Sequence, residues 1–492
     1  MTQTYFNLDV GFPEVFYVGE GNVQLVRGWC FHPRWQIEEI WLVIGQDSFR
    51  VERTKEPRID VAYHYRDIDH NGHALHSGFY GVIPIAKDLG ETHQVIRLRL
   101  EFKTKVVEEH ELGSVHLVRE TRAPIKTRND GNRSQPLVAI CLPTFNPDVG
   151  RFVKQVESIK NQTYENWCCI VNDDASPNDK YAEINSICGG DDRFHVYRNR
   201  ERLGFYHNFE QCLKKVPTSA AFIALSDQDD YWYPDKLEKC IRAFEENTVL
   251  VYCDMRVVTD RDDIIAESFW NSRKNNYEDL DILLLSNSIT AAAAVFRFQL
   301  LDRILPFPEK FRLSFHDHWI ACVALVSGKI RYIDVCLYDY IQHDKNVIGY
   351  VNGDGADRGQ IFSKLWQPWH YLRYLRGTAQ YLAGLKRRHL DVYQNEYLML
   401  VVMSSVLRLR FPTVGRMQRQ ALAIFSDDWR TVFSLLGVHV KVRWRGMTTA
   451  GAEIILVMAF MAKTISSISA KVFKRRLMRK IRCEQWSEDS TH

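Results

Sequence analysis

No stretch of this sequence reaches the roughly 20 apolar residues that a helix needs to cross a bilayer. The opening residues, MTQTYFNLDVGFPEVF, lack the basic start and apolar run of a signal peptide. Charge of one sign is also missing. Lysine and arginine number 64 against 61 aspartates and glutamates, a formal net charge of +3, far below the basic surplus of a general nucleic-acid binder. The 11 cysteines are odd in number and scattered, with no CxxC pairs. Cys168 and Cys169 are adjacent in an apolar run. This argues against a zinc or disulfide framework and for a reducing, cytoplasmic compartment. There is no internal repeat and no low-complexity tract. No Gly-x-x-x-x-Gly-Lys-Ser/Thr loop is present, so phosphates are not held in the ATPase manner. What remains is ordinary globular composition, 46% hydrophobic and 25% charged over 492 residues, which fits two to four domains.

Residues 1–120 read as a small β-sandwich. Ile96, Leu98, Leu100 and Phe102 alternate with Arg97, Arg99 and Glu101, the period of a half-buried strand. Trp41–Ile44 is another candidate strand, and turn signals such as Asn71-Gly72 punctuate the region. Residues 121–134 are polar and read as a linker. Over 135–355 the pattern becomes α/β. Apolar runs at Leu137–Leu142, Cys168–Val171, Ala221–Leu225 and Val249–Tyr252 alternate with helical stripes. The stripes include Phe152, Val156 and Ile159, then Phe209, Cys212 and Leu213, then Leu237, Cys240 and Ile241. That alternation implies a parallel, Rossmann-like sheet with helices on its faces. Residues 356–492 look helical.

Ligands of such sheets bind outside the carboxyl ends of the strands, and each end here carries a polar signature. The first is Pro143-Thr-Phe-Asn146, the second Asn172-Asp-Asp-Ala-Ser176, the third Ser226-Asp-Gln-Asp-Asp-Tyr-Trp232. A nucleoside diphosphate brings phosphates that need a divalent cation, and hard cations prefer carboxylate oxygens. An Asp-x-Asp at a strand end can reach such a metal. The bland alternative is that each Asp pair caps a helix or turn. For the third signature the metal reading is favoured, because closely packed acids repel one another without a cation.

The order of these signatures, together with Gln162–Trp167, Leu203-Gly-Phe205, Asn208, His316-Asp-His-Trp319, Tyr340–His343 and Asn346, resembles the family-2 glycosyltransferases with the GT-A fold, most closely rhamnosyltransferase-like members. The resemblance covers roughly 210 residues in the right order. It implies a metal-dependent, inverting transferase of hexosyl or rhamnosyl type, using a nucleotide-diphosphate sugar and Mg²⁺ or Mn²⁺. Asp174 would bind the nucleobase, with Pro143, Thr144, Asn146, Asp173 and Gln228 around the nucleotide. Asp227 would contact the ribose. Asp229 would bind the metal, with His343 as a further ligand or a structural histidine. Asp317 would be the catalytic base. Many relatives carry Glu-Asp where this chain has His316-Asp317. The histidine would either lower the Asp317 pKa as a cation or bind acceptor. The acceptor would be a glycan or lipid-linked oligosaccharide of surface polysaccharide biosynthesis. The alternative is an inactive nucleotide-sugar- or glycan-binding protein, and the intact Asp227, Asp229 and Asp317 speak against it.

The N-terminal module, with Arg58-Ile-Asp-Val61 and Ser77-Gly-Phe79, resembles small β-sandwich modules attached to bacterial glycosyltransferases. Its Trp29, Trp35 and Trp41 are available for sugar stacking, but core or interface positions are the more ordinary reading. At the other end, Ile454–Ala462 is apolar and too short to span, and eight Lys and Arg follow between Lys463 and Arg482. That combination suits peripheral docking on the inner face of the plasma membrane. The alternative is a partly buried helix with a solvated basic face.

Overall fold

The computed structural model describes residues 3–51, 53–87, 92–119, 122–126, 135–270, 275–311, 314–343, 396–425, 429–447, 449, 452–458, 460–461 and 464. The expectations for Asn346, for 356–395 and for the basic stretch 463–482 (Thr464 excepted) lie outside them. Two compact units emerge.

In the first unit, alternation produces a two-layer β structure. Its strands are β1 (Tyr5–Leu8), β2 (Val15–Tyr17), β3 (Asn22–Phe31), β4 (Ile37–Ile44), β5 (Asp47–Arg50) and β6 (Arg53–Glu56). After helix α1 (Ile59–His64) come β7 (Gly78–Ile85), β8 (Thr92–Phe102) and β9 (Val107–Val118). One sheet has the order β1-β3-β7-β6 and the other β2-β9-β8-β4-β5. The alternating Ile96, Leu98, Leu100 and Phe102 of β8 are buried against Leu42 and Ile44 of β4 and Ile83 of β7, so the two inner faces share one core. A second cluster forms where α1 brings Val61 and Ala62 against Phe31, Ala74 and Leu75, with Trp29 packed on its edge. Arg58, just before α1, is fixed by Asp9 at 2.8 Å and Asp60 at 2.7 Å. Trp29 and Trp41 are half-buried, and Trp35 stacks on His32 with ring centroids 4.5 Å apart.

The second unit carries the α/β pattern. Strand β10 (Val138–Thr144) leads into α2 (Val149–Lys160), β11 (Trp167–Asp173), α3 (Asn178–Cys188), β12 (Phe194–Arg198), α4 (Phe205–Lys214) and β13 (Phe222–Leu225). Then follow β14 (Tyr231–Trp232), α5 (Lys236–Arg242), β15 (Thr248–Thr259), β16 (Ile264–Ala266), α6 (Leu280–Leu285), β17 (Ala294–Arg297), α7 (Leu301–Ile304), α8 (His316–Ser327) and β18 (Lys329–Gln342). All seven residues of β10 and all seven of β11 are buried, as expected for strands covered on both faces. Helix α2 starts where Asp148 accepts the Arg151 N–H at 3.1 Å, and its Phe152, Val156 and Ile159 are buried.

The sheet order is β12-β11-β10-β13-β17-β15-β18-β14. Strands β12, β11, β10 and β13 are parallel, as the alternation implied. Beyond them β17 inserts antiparallel between β13 and β15, and the sheet is mixed. Part of the expected linker is held rather than loose. The Ala123 and Ile125 N–H groups donate to the Lys214 and Lys215 carbonyls, and Arg122 pairs with Asp302 at 3.1 Å.

The C-terminal helices are shared between the units. Helix α9 (Leu398–Arg410) belongs to the first, where buried Arg410 donates to the Gly21 carbonyl at 2.7 Å. Helices α10 (Arg416–Leu422) and α11 (Trp429–Arg445) belong to the second. No helix of the described residues is long and apolar enough to cross a membrane.

Candidate active site

The carboxyl ends of β10, β11 and β13 lie side by side, with Thr144 in register with Asp173. At the first two ends the polar groups are occupied by one another. Asp173 accepts the Ser176 N–H at 2.9 Å and the Ser176 hydroxyl at 2.5 Å. Asp174 accepts from Asn199 Nδ2 at 2.9 Å, the Leu203 N–H at 2.8 Å and the Gly204 N–H at 2.8 Å. Gly204 has φ +80°, a left-handed conformation that glycine adopts without the strain of a side chain. Beneath this loop Asn208 donates to the Thr144 and Asn172 carbonyls and accepts from Asn172 and Asn199.

Asp173 and Asp174 are buried, at 0% and 1% exposure. Direct nucleotide contact was expected of both. In the structure Asp173 holds the 173–176 turn and Asp174 holds the 199–204 loop. Pro143 is likewise buried within the sheet, opposite Asn172. Facing the rim are Asn146, exposed with φ +42° and its N–H held by Ser176 Oγ at 2.7 Å, and Phe145. Gln228 Oε1 accepts the Phe145 N–H at 2.9 Å, and the Arg202 guanidinium lies 3.9 Å above the Phe145 ring.

The third strand end behaves differently. Asp227 keeps some surface at the rim but is packed deeply. Burial first, then Asp229 and Asp317, push its carboxyl up to about 7, with Lys236 opposing. Asp230 is pushed well up by burial, Asp227 and Asp229. Asp229 meets His343 Nε2 at 2.9 Å. Asp317 arrives on the first turn of α8, its Oδ1 accepting the His318 N–H at 2.7 Å. Burial raises its carboxyl to about 7.

The cation among these acids is Lys236, 1% exposed. Its ammonium donates to the Ala292 carbonyl and lies 3.6 Å from the Trp232 ring centroid. Burial lowers its pKa to about 8. Lys236 went unread in the sequence, although a lysine six residues after an Asp-x-Asp-Asp run is a signal of a counter-charge. Trp232 and Trp319 are core residues, and the Trp319 N–H donates to Ile304.

The environment of His316 corrects one expectation. Its ring stacks on Phe209 at 3.5 Å and is 5% exposed, and burial depresses its pKa to about 3. It is neutral at pH 7 and does not lower Asp317 as a cation.

Among the described residues, no three His, Cys, Asp or Glu side chains form a closed metal cage. Cations that bridge phosphates take one or two protein carboxylates and complete their shell from substrate and water. The Asp229–His343 pair suits that mode, beside carboxylates whose mutual repulsion a single buried lysine offsets.

Residues 139–305 match the family described as Glycosyl transferase family 2. An uncharacterised glycosyltransferase of Methanocaldococcus jannaschii is 25% identical over 199 residues, 39% of this chain and 67% of that protein. The UDP-Glc:alpha-D-GlcNAc-diphosphoundecaprenol beta-1,3-glucosyltransferase WfgD of Escherichia coli is 28% identical over 177 residues, 36% of this chain and 64% of its own length. The chain thus spans a little under two thirds of WfgD. Among solved structures, the mannosyltransferase PcManGT from Pyrobaculum calidifontis, in complex with GDP-Man and Mn²⁺, is 14% identical with a TM-score of 0.36, over 68% of this chain and 87% of that one. Residues 139–305 thus resemble a family-2 glycosyltransferase domain, and they lie on the mixed sheet of the second unit.

Proposed function

We propose that this family-2 glycosyltransferase domain transfers a sugar, with inversion, from a nucleotide-diphosphate donor to a hydroxyl of a glycan or lipid-linked acceptor in surface polysaccharide synthesis, at the inner face of the plasma membrane. The observation that carries the reading is Asp317, a carboxylate raised to about 7 at the start of α8 and close enough to Asp227 to repel it.

A base whose pKa sits near the working pH is half-ionised there and accepts a proton with the greatest effect. Asp317 takes the proton of the acceptor hydroxyl as that oxygen attacks the anomeric carbon from the face opposite the diphosphate. One displacement inverts the configuration. Asn146 and Gln228 line the nucleotide side of the rim, with Thr144 buried at the strand end next to them, and Asp227 faces the ribose. Asp173 and Asp174 hold the turn and loop around the pocket. A divalent cation, Mg²⁺ or Mn²⁺, held by Asp229 and His343 would offset charge on the departing diphosphate. The names of two relatives support the polysaccharide setting. WfgD acts on a diphosphoundecaprenol-linked sugar, and TuaG of Bacillus subtilis is a putative teichuronic acid biosynthesis glycosyltransferase.

The test screens UDP-, dTDP- and GDP-sugars with Mn²⁺, first by the rise in melting temperature that a native-state ligand produces, then by turnover. NMR of the product reads the anomeric configuration. Retention of configuration, or normal turnover by Asp317→Asn, refutes the mechanism.

A further inference from the structure

We propose that α11 is an interfacial helix that lays the catalytic unit onto an anionic lipid surface. Helix α11 has two apolar stripes. Val432, Leu435, Val438 and Val442 are buried and face the unit's interior. Trp429, Phe433, Leu436, Val440 and Trp444 recur at helical spacing on the opposite side and are 52%, 68%, 40%, 67% and 85% exposed. Met417 of α10 adds a sixth exposed apolar side chain, at 75%.

The occupant follows from chemistry on that face. Trp429 and Trp444 stand at the two ends of the helix, about 22 Å apart along its axis, and indole rings favour the boundary between headgroups and acyl chains. Arg430 and Arg443 are exposed beside the stripe, Arg416 is exposed at the start of α10, and residues 429–447 contain no aspartate or glutamate, Asp427 and Asp428 lying just before them in the sequence. Exposed arginines around an apolar face complement phosphodiester headgroups. They oppose a second copy of the chain, because a two-fold contact would set the same arginines against one another.

The surface is coupled to the active site. Lys441 pairs with Asp279 at 2.7 Å and Asp281 at 2.8 Å, and Arg445 also pairs with Asp279, which clips α11 to the start of α6. The Leu283 carbonyl of α6 meets His318 Nε2 at 2.8 Å, one residue from Asp317. Docking through α11 therefore fixes the height of the catalytic base above the lipid. This deepens the proposed use of a lipid-linked acceptor, but the docking itself needs neither donor nor turnover.

The test is co-sedimentation of the full chain with vesicles of equal parts phosphatidylcholine and phosphatidylglycerol, against phosphatidylcholine alone. The wild type binds the anionic vesicles more strongly. The double variant Phe433→Ser, Trp444→Ser lowers the partition coefficient by about tenfold or more, as loss of two inserted apolar side chains requires. Arg416→Gln with Arg443→Gln removes the preference for anionic lipid. Both variants melt like the wild type, since the changed side chains are exposed. Asp317→Asn binds vesicles normally, which separates this proposal from the catalytic one. Three results overturn it: unchanged binding by the serine variant, which would place any lipid contact in the basic stretch 463–482; wild-type binding indifferent to phosphatidylglycerol; or a concentration-dependent dimer that the serine variant dissolves.

Discussion

Two strand ends in this domain look alike in sequence and differ in physics. Asp173-Asp174 stands at the end of β11, and Asp227-Gln-Asp-Asp230 follows β13. The first pair is saturated by a hydroxyl, three backbone N–H groups and an asparagine. The second group has Lys236 and His343 nearby, and burial first, then acidic neighbours, raise the carboxyls of Asp227 and Asp230. Saturated carboxylates are architecture, because buried acceptors that meet enough donors are stable where they lie. Carboxylates that repel one another await a positive charge or a proton, and such groups cluster at functional sites. The two strand ends therefore differ in the number of donors that meet their carboxylates, not in residue type or in position in the motif.

The largest effect should come from Asp317→Asn. Removing a positioned base costs about a thousandfold in kcat. The melting temperature should hold or rise, because the variant no longer buries an ionisable carboxyl. Steady-state rates and calorimetry on the same preparation check both halves. A variant with a large loss of stability would move Asp317 to the architectural class.

Asp229→Asn should lower turnover by about a hundredfold, the scale of a lost metal contact. Chelation with EDTA should do the same to the wild type and add little to the variant. Titration of Mn²⁺ into both proteins reads this. Equal metal dependence in wild type and variant would remove Asp229 from the metal site. The fold should be intact in both, in contrast with the next case.

Asp174→Asn replaces a carboxylate that accepts two backbone N–H groups with an amide that cannot satisfy both. Leaving a buried donor unpaired costs about 2–3 kcal/mol, which for a unit of this size lowers the melting temperature by roughly 5–10 °C. Donor affinity should fall through disorder of the 199–204 loop, so activity should partly recover on cooling. A fully stable variant with lost donor binding would instead make Asp174 a direct ligand and break the comparison.

The comparison also marks where sequence reasoning stops. Strands β10, β11 and β13 were legible because both faces are buried and their runs are continuously apolar. Strand β12, Phe194-His-Val-Tyr-Arg198, was not, because at the sheet edge its burial fades from Phe194 to an exposed Arg198. Strand β17 was hidden because its neighbours, Ala291–Ala293, are small residues without a strand period. The acids were all visible in the sequence. Their partners were not, since the donors to Asp174 lie 25 to 30 residues along the chain. The same limit applies to α11. A helix with apolar residues on two sides does not reveal which stripe meets the core until α6 is seen packed against it.

The smallest effect, and the sharpest test of the contrast, is in pH. With the folded Asp317 carboxyl at about 7 and its ordinary value at 3.8, turnover should fall about tenfold per pH unit below 7, as the base becomes protonated. Stability should run the other way. Between pH 4 and 7 the folded protein holds a proton on Asp317 that the unfolded chain has released. Acidification through that window therefore favours the fold, and the destabilising contribution is complete only above about 7. Asp317→Asn lacks this contribution. Its advantage in melting temperature over the wild type should be largest near pH 8 and should shrink toward pH 5. Glu210, whose carboxyl His207 and Lys214 hold below its ordinary value despite burial, acts with the opposite sign in both proteins and cancels in the difference. A difference that is flat from pH 8 to pH 5 would mean that burial does not raise the Asp317 carboxyl, and the reading of Asp317 as a base poised near pH 7 would lose its support.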